Sequence, residues 1–503
     1  MESKETRLFT LLADANPDLD EIRDLLEDDD VNINCVNRQG LNLLLQLVKR
    51  PKGENMLELV NVLIERGIQI NFKDPEEKKN VLHYLCTSYF QDDMIDIIKL
   101  FIRHQIDLNC IDDYGENALF YLCANYSNDN LDQVMKFLID NGLQVNCQSE
   151  HNRNLLHLLC NYYEKENLIK VVRLLLDSGI EVNSTTKCGR NALHLLCEYY
   201  QQDNLVDIAQ LLLDNGIQVE EDKWNALHLA CRFYSRDNLI SLVKLLIDKV
   251  EDVNYRDSDG RNALHILCRS YSKSNLIDII ELLIENGIDI HCKDKDGWNA
   301  FLIVCRTYSK RNLIDMVQLF VRHKADVNST DRDGNNAVNG LCLNYFQENL
   351  TDVIQVLLEA GTDINCRNNS GINALLYLCK NQKNQLIEKI HFLMDKRIDV
   401  HCKDNDRANV LHYLCRYYPK DDLYEIVKYL IKKREVDKEF HDSDGWLALH
   451  YLCRYYNGGN MLQIIQLFKP RRGPISNGID CRSLVRDNYK KGNIVEILQY
   501  FES

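Results

Sequence analysis

Over residues 262–287 the apolar positions fall on two helical stripes with a polar turn between them. Leu264, Leu267, Cys268 and Tyr271 lie at i, i+3, i+4 and i+7, one face of a helix. Asn262 stands at the N-cap, where a side-chain oxygen can accept from the first orphan N–H groups, and Ala263 opens the helix. Ser272-Lys273-Ser274 forms the turn. Asn275 is expected to cap the second helix, with Asp278 favoured near the positive end of its dipole. Leu276, Ile279, Ile280 and Leu283 form the second stripe, and Gly287 ends it in a left-handed cap. Ile288 to Gly297 then runs extended and turns on Asp and Gly, a short finger.

This pattern recurs along the chain. Gly260 to Cys268 (GRNALHILC) returns as GRNALHLLC from Gly189, GWNAFLIVC from Gly297, GINALLYLC from Gly371 and GWLALHYLC from Gly445. The terminal cysteines are Cys86, Cys123, Cys160, Cys197, Cys231, Cys268, Cys305, Cys342, Cys379, Cys415 and Cys453. They are spaced 37, 37, 37, 34, 37, 37, 37, 37, 36 and 38 residues apart, and Val48 fills the same slot 38 residues before the first. Neither helix can bury its stripe alone, but identical units stacked side by side can, giving a one-dimensional core. The expected fold is an all-α solenoid of helix-turn-helix units with short hairpin fingers.

These residues carry a family resemblance. Asn-Ala-Leu-His-Leu-Leu-Cys at 191–197 resembles the Thr-Pro-Leu-His-Leu-Ala-Ala signature of ankyrin repeats. Leu212 to Gly216 and Gly287 to Ile290 resemble the family's Leu-Leu-x-x-Gly-Ala-Asp-Val-Asn ending, and Asp257–Gly260 and Asp294–Gly297 resemble its finger turn. The resemblance spans roughly residues 6–503. It departs in period, 37 against the family's 33, with the extra residues between the helices, where Tyr-x-x-x-Asn-Leu replaces a short Gly-His turn. Ala replaces Pro at the start of the first helix. The finger between Gly216 and Asn225 is three residues short, and Val250 stands where Gly caps other units, so stacking irregularity is expected over 216–255.

The organisation expected is an N-terminal capping repeat over 1–39, an array over 40–468, and an irregular loop with capping helices over 469–503. Units start near 40, 78, 115, 152, 189, 223, 260, 297, 334, 371, 407 and 445. In the first segment eleven acidic residues stand against four basic ones, the polar outer face that a terminal repeat needs. Lys469 to Pro474 breaks the pattern, and Ser483 to Tyr489 with Ile494 to Phe501 reads as the last helix pair.

Composition narrows the function classes. The 503 residues are 45% hydrophobic and 27% charged, an ordinary globular balance. A net charge of −16 argues against nucleic-acid binding and against anchoring to an anionic membrane. No apolar run reaches membrane-spanning length. The polar start Met1-Glu2-Ser3-Lys4-Glu5 reads as lacking a signal peptide, so the 19 cysteines are expected in a reducing compartment, cytoplasmic or nuclear. Eleven of them fill the helix slot, and Cys35, Cys110, Cys147, Cys292, Cys366 and Cys402 recur in the fingers; only Cys188 and Cys481 fall outside both registers. Repeats stacked about 10 Å apart hold in-register cysteines too far apart for disulfides. They read as small buried hydrophobes. His83, His157, His194, His228, His265, His412 and His450 share one slot. The resemblance implies that they tie neighbouring units together by hydrogen bonds. A tyrosine three residues after ten of the eleven slot cysteines, as at Tyr89, Tyr163 and Tyr271, extends the buried stripe.

Positions that vary between units carry the functional expectation. In ankyrin arrays the two residues after the cysteine slot and the one after the finger Gly line the concave surface that partners touch. Here they include Arg232-Phe233, Arg269, Arg306, Arg416-Tyr417 and Arg454-Tyr455, with all three tryptophans, Trp224, Trp298 and Trp446, after the Gly slot. Tyr377, Tyr413 and Tyr451 recur two residues before the cysteine in three consecutive units. Arg, Tyr and Trp are the residues that dominate interface energies. Arg236, Arg269, Lys273, Arg306, Lys310 and Arg311 add an expected basic strip.

The repeats leave no segment of domain size for catalysis, and no phosphate loop, HExxH or GxSxG occurs. The expected function is a non-catalytic scaffold, without cofactor, metal or small-molecule substrate. As a monomer it would bind a protein or peptide with acidic and apolar residues. The alternative is an adaptor that recruits substrates to a larger machine such as a ubiquitin ligase.

Overall fold

A computed structural model describes residues 3–14, 18–28, 30–49, 55–126, 128–221, 224–381, 384–470, 475–476 and 478–502. Glu221, Trp224, Ile475 and Ser476 are described by backbone alone. The chain divides into two compact units, Met1–Glu251 and Asp252–Ser503, and the division falls inside the irregular stretch 216–255. Each unit carries fourteen helices, paired as seven helix-turn-helix repeats, among the described residues. The terminal pairs are Lys4–Ala13 with Leu19–Glu27, and Cys481–Asn488 with Ile494–Tyr500. Arg471 to Pro474, part of the expected break in the pattern, lie outside the described residues.

Each first helix starts where the sequence places it. In the helix Ala263–Ser270, Asn262 accepts from the His265 N–H, and the His265 ring accepts in return from the Asn262 N–H. The same reciprocal cap forms at Asn80, Asn154, Asn191 and Asn409. With the ring Nδ1 accepting, its Nε2–H points onward. It donates to the finger carbonyl of the following repeat, from His83 to Glu116 (3.1 Å), His157 to Arg190 (3.1 Å), His265 to Trp298 (3.0 Å) and His412 to Trp446 (3.1 Å). Burial holds these imidazoles below the ordinary histidine pKa, down to about 4 at His157.

The second helices begin differently from the sequence expectation. Asn275 and its equivalents occupy the N-cap position but make no side-chain cap bond. The buried tyrosine at the end of the first helix, itself extended rather than helical, takes the side chain instead. Tyr163 Oη donates to Asn167 Oδ1 at 2.7 Å, and Asn167 Nδ2 donates to the Asp129 carbonyl at 2.8 Å, one repeat earlier. Tyr345, Asn349 and Arg311 repeat this in the second unit at 2.8 and 2.9 Å. The lengthened turn thus serves as a clamp on the preceding turn.

All eleven cysteines of the helix slot are buried, as core residues. First helices pack on first helices, as in the series Val81–Ser88, Ala118–Asn125 and Leu155–Tyr162, and second helices on second helices. The fingers are tight turns, most of them linked to the next by a backbone bond, as from Lys295 to Asp259 and Arg332 to Asp296, both 2.9 Å. Gly297, at φ +81°, lets this approach occur, since a Cβ there would meet the Arg332 nitrogen at 2.9 Å. The short finger alone among the array's fingers folds as a two-residue hairpin, Glu220–Glu221 against Trp224–Asn225. Val250 closes its helix by an N–H bond to Leu246 rather than by a left-handed cap.

Candidate functional site

The site is built on three consecutive first helices of the second unit: Ala374–Asn381, Val410–Tyr417 and Ala448–Tyr455. The slot two before the cysteine and the slot two after it are four residues apart, so they share a helix face. Tyr413 and Tyr417 accordingly sit 5.7 Å apart, and Tyr451 stacks on Tyr455 at 6.3 Å.

The earlier member of each pair is not an exposed contact residue, and here the sequence expectation is corrected. Tyr377, Tyr413 and Tyr451 are buried, and so is Trp446. Tyr413 donates to Asp404 Oδ2 and Tyr451 to Asp442 Oδ2, both at 2.8 Å. Tyr377 donates to Asn335 at 3.1 Å and accepts from Asn368 at 2.8 Å. Tyr121 makes the same bond to Asp112 in the first unit. These rings brace the fingers against the helices, and burial with the adjoining carboxylates pushes the hydroxyls of Tyr413 and Tyr451 up in pKa. The signal was in the sequence: Asp112, Asp404 and Asp442 all stand eleven residues before a slot cysteine.

Above these braces runs an unbroken alternation of cations and rings. Lys380 lies 5.5 Å from the Tyr417 ring, and Arg416 lies 5.2 Å from that ring and 5.9 Å from Tyr455. Arg454 lies 5.4 Å from Tyr455 and 5.6 Å from Trp446. Arg416 also sits 5.3 Å from Tyr451. Arg416, Arg454 and Tyr455 are exposed, Tyr417 half-buried. Neither arginine has a carboxylate in ion-pair range among the described residues. Because both flank Tyr455, their guanidinium carbons are at most 11.3 Å apart. The row borders a groove of about 460 Å³ whose opposite wall is the fingers, with Asp404, Asp406, Asp442 and Asp444. Lys380 and these finger acids escaped the sequence reading, which followed Arg, Tyr and Trp only.

The remaining candidates divide. Arg269, Trp298 and Arg306 meet at a smaller pocket of about 200 Å³ with Asp296. Arg306 lies 4.7 Å from the half-buried Trp298 ring but is ion-paired at 3.2 Å to Asp331. In the first unit Arg232 and Phe233 are exposed, 5.1 Å apart. The Trp224 side chain lies outside the described residues. Two members of the expected basic strip have acidic neighbours, Arg236 at 3.9 Å from Asp203 and Arg311 at 3.9 Å from Glu348, while Lys310 donates to the Ser272 carbonyl. No helix among the described residues is long and apolar enough to cross a membrane.

Cap, clamp and finger bonds that each reach one repeat away define a helical repeat solenoid. The chain belongs to the ankyrin-repeat family, whose model (three repeat copies) matches residues 44–149, 122–221, 156–257, 202–294, 234–331, 270–368, 341–432 and 375–473. Two solved structures are similar. One is the ankyrin repeat domain of Bcl-3, described as a unique member of the IkappaB protein family, at 22% identity and TM-score 0.34, covering 47% of this chain and 97% of that one. The other is the human ASB11 ankyrin repeat domain, at 20% identity and TM-score 0.37, covering 48% and 96%. No curated protein matches the chain. Ankyrin repeats are protein–protein interaction modules, and proteins built from them are typically non-catalytic.

Proposed function

We propose that this chain is a non-catalytic scaffold, acting as a monomer, that takes a protein or peptide segment along the Lys380–Trp446 row. One observation carries the reading: two exposed arginines, each beside aromatic rings, have no carboxylate in ion-pair range among the described residues. Each guanidinium lies within about 6 Å of its rings, the range of cation–π attraction, and its N–H donors can take a carboxylate bidentately. Ordering is largely paid in advance, since the side chains already stand in place. The partner segment therefore offers acidic side chains to the arginines and apolar ones to Tyr455. The finger acids on the far wall disfavour polyphosphate or nucleic acid in the same groove.

The test is capture from cell extract, followed by affinity and melting measurements on Arg416→Ala/Tyr455→Ala. Binding should weaken by about 2–4 kcal/mol with Tm unchanged, since both side chains are exposed. Unchanged affinity would move the interface, first to the Arg269–Trp298–Arg306 pocket. A fall in Tm would make the row structural.

A further inference from the structure

The seven slot histidines do not all make the same onward bond. His450 is fully buried, and its Nδ1 accepts from the Leu447 N–H at 3.0 Å, which leaves the proton on Nε2. That Nε2 has no nitrogen or oxygen partner, where His83, His157, His265 and His412 each reach a finger carbonyl. Its ring bears instead on Cys481.

Cys481 is the first residue of the helix Cys481–Asn488, a position held by alanine in the helices Ala192–Tyr199, Ala263–Ser270 and Ala448–Tyr455. That helix packs directly on Ala448–Tyr455, which carries His450 and Cys453. In-register cysteines are kept apart by the repeat spacing, but a cysteine at the alanine position faces the cysteine ladder of the preceding repeat. Cys453 and Cys481 are both buried on these two packed helices, close enough for each thiol to act on the other's ionisation. The Cys453 thiol and His450 both favour the Cys481 thiolate, against the cost of burial. Burial keeps Cys453 protonated. The cluster thus holds a nucleophilic sulfur, a resolving thiol and an N–H donor at one helix N-terminus.

We propose that Cys453 and Cys481 are an oxidation site: a hydroperoxide converts the pair to a disulfide that bolts the terminal helix pair to the repeat before it. The Cys481 thiolate attacks one peroxide oxygen, the O–O bond breaks, and with one proton the leaving oxygen departs as water, giving a sulfenic acid. Cys453 then attacks that sulfur as its thiol proton joins the leaving hydroxyl, releasing a second water. Two thiols and one hydrogen peroxide become one disulfide and two waters. Entry is through local opening of this helix pair: the helix Ile494–Tyr500 buries only Ile497, where Leu276–Glu285 buries four residues.

The experiment treats the reduced full-length chain with one equivalent of hydrogen peroxide, blocks remaining thiols with iodoacetamide and maps unreduced peptides by mass spectrometry. A cross-linked peptide joining residues 453 and 481 is expected, with an upward shift in melting that dithiothreitol reverses. Cys481→Ala restores the residue found at that position elsewhere, and Cys453→Val matches the native Val48 of the same slot. Both variants should fold and lose the cross-link together with the melting shift. Alkylation of both thiols after peroxide treatment, or a peroxide-induced melting shift that survives Cys481→Ala, would overturn the proposal.

Discussion

The repeats that start near 115, 152 and 189 and those that start near 371, 407 and 445 share one scaffold and differ in what it displays. Their cysteine slots are alike buried: Cys123, Cys160 and Cys197 against Cys379, Cys415 and Cys453. The next position reads Ala124, Asn161 and Glu198 in the first set, and Lys380, Arg416 and Arg454 in the second. Aromatic exposure does not separate them, since Tyr162 and Tyr199 are 54% and 47% exposed, as Tyr455 is at 47%. What separates them is the cation between the rings. In the first set Glu198 pairs with Arg190, and Arg153 reaches only the Tyr162 hydroxyl, at 3.2 Å. The periodic slots build the solenoid, and one aperiodic slot beside them sets the charge that each face displays.

The sharpest way to break this comparison is acid. Burial lowers the pKa of His157 to about 4 and lowers those of His83, His265 and His412, so the folded chain resists protonation that the unfolded chain accepts near 6.5. Stability from these groups is fully present above the unfolded value and is lost as pH falls toward the folded one. His157 alone should cost about 3 kcal/mol between those limits. Circular dichroism from pH 7.5 to 4 should show helix loss that His157→Asn, carrying the residue Asn339 uses at this slot, makes shallower. A flat pH profile would contradict the shared-scaffold half of the comparison.

Core truncation comes next. Leu122→Ala and Leu414→Ala, one in each set and both fully buried, should each cost about 2–5 kcal/mol in urea unfolding. Costs that differ widely would mean the two scaffolds are not equivalent. Smaller still, Tyr163→Phe and Tyr308→Phe remove the hydroxyl that bonds Asn167 or Asn312 and should each cost about 1 kcal/mol. A cost near zero would show that the lengthened turn is packed rather than clamped.

Most of the fold was legible because it is periodic. A cysteine about every 37 residues, a Gly after many of the second helices and the Asn-x-x-His cap are local signals repeated many times over. What stayed hidden depends on contacts between repeats. Asn275 looks like an N-cap from its neighbours in sequence, but its side chain answers to Tyr271, and in the parallel case Asn167 answers to Asp129 as well. Tyr413 and Tyr451 looked displayed because their slot varies, yet they are committed to Asp404 and Asp442. The cation–ring row was only half legible: its arginines and tyrosines stand out by type, while Lys380 enters only once neighbouring helices are placed side by side.

The reach of the finger asparagines has an evolutionary consequence. Asn109 donates to the Gly142 carbonyl, 33 residues on, and accepts from Gln144, 35 residues on. Asn254 does the same with Gly287 and Asp289, and Asn328 with Gly361 and Asp363. Since every such bond spans one repeat and no more, duplicating or excising a whole period leaves each donor opposite an equivalent acceptor. A change of whole periods therefore preserves every such pairing, whereas a change of a few residues displaces the partners on either side of it.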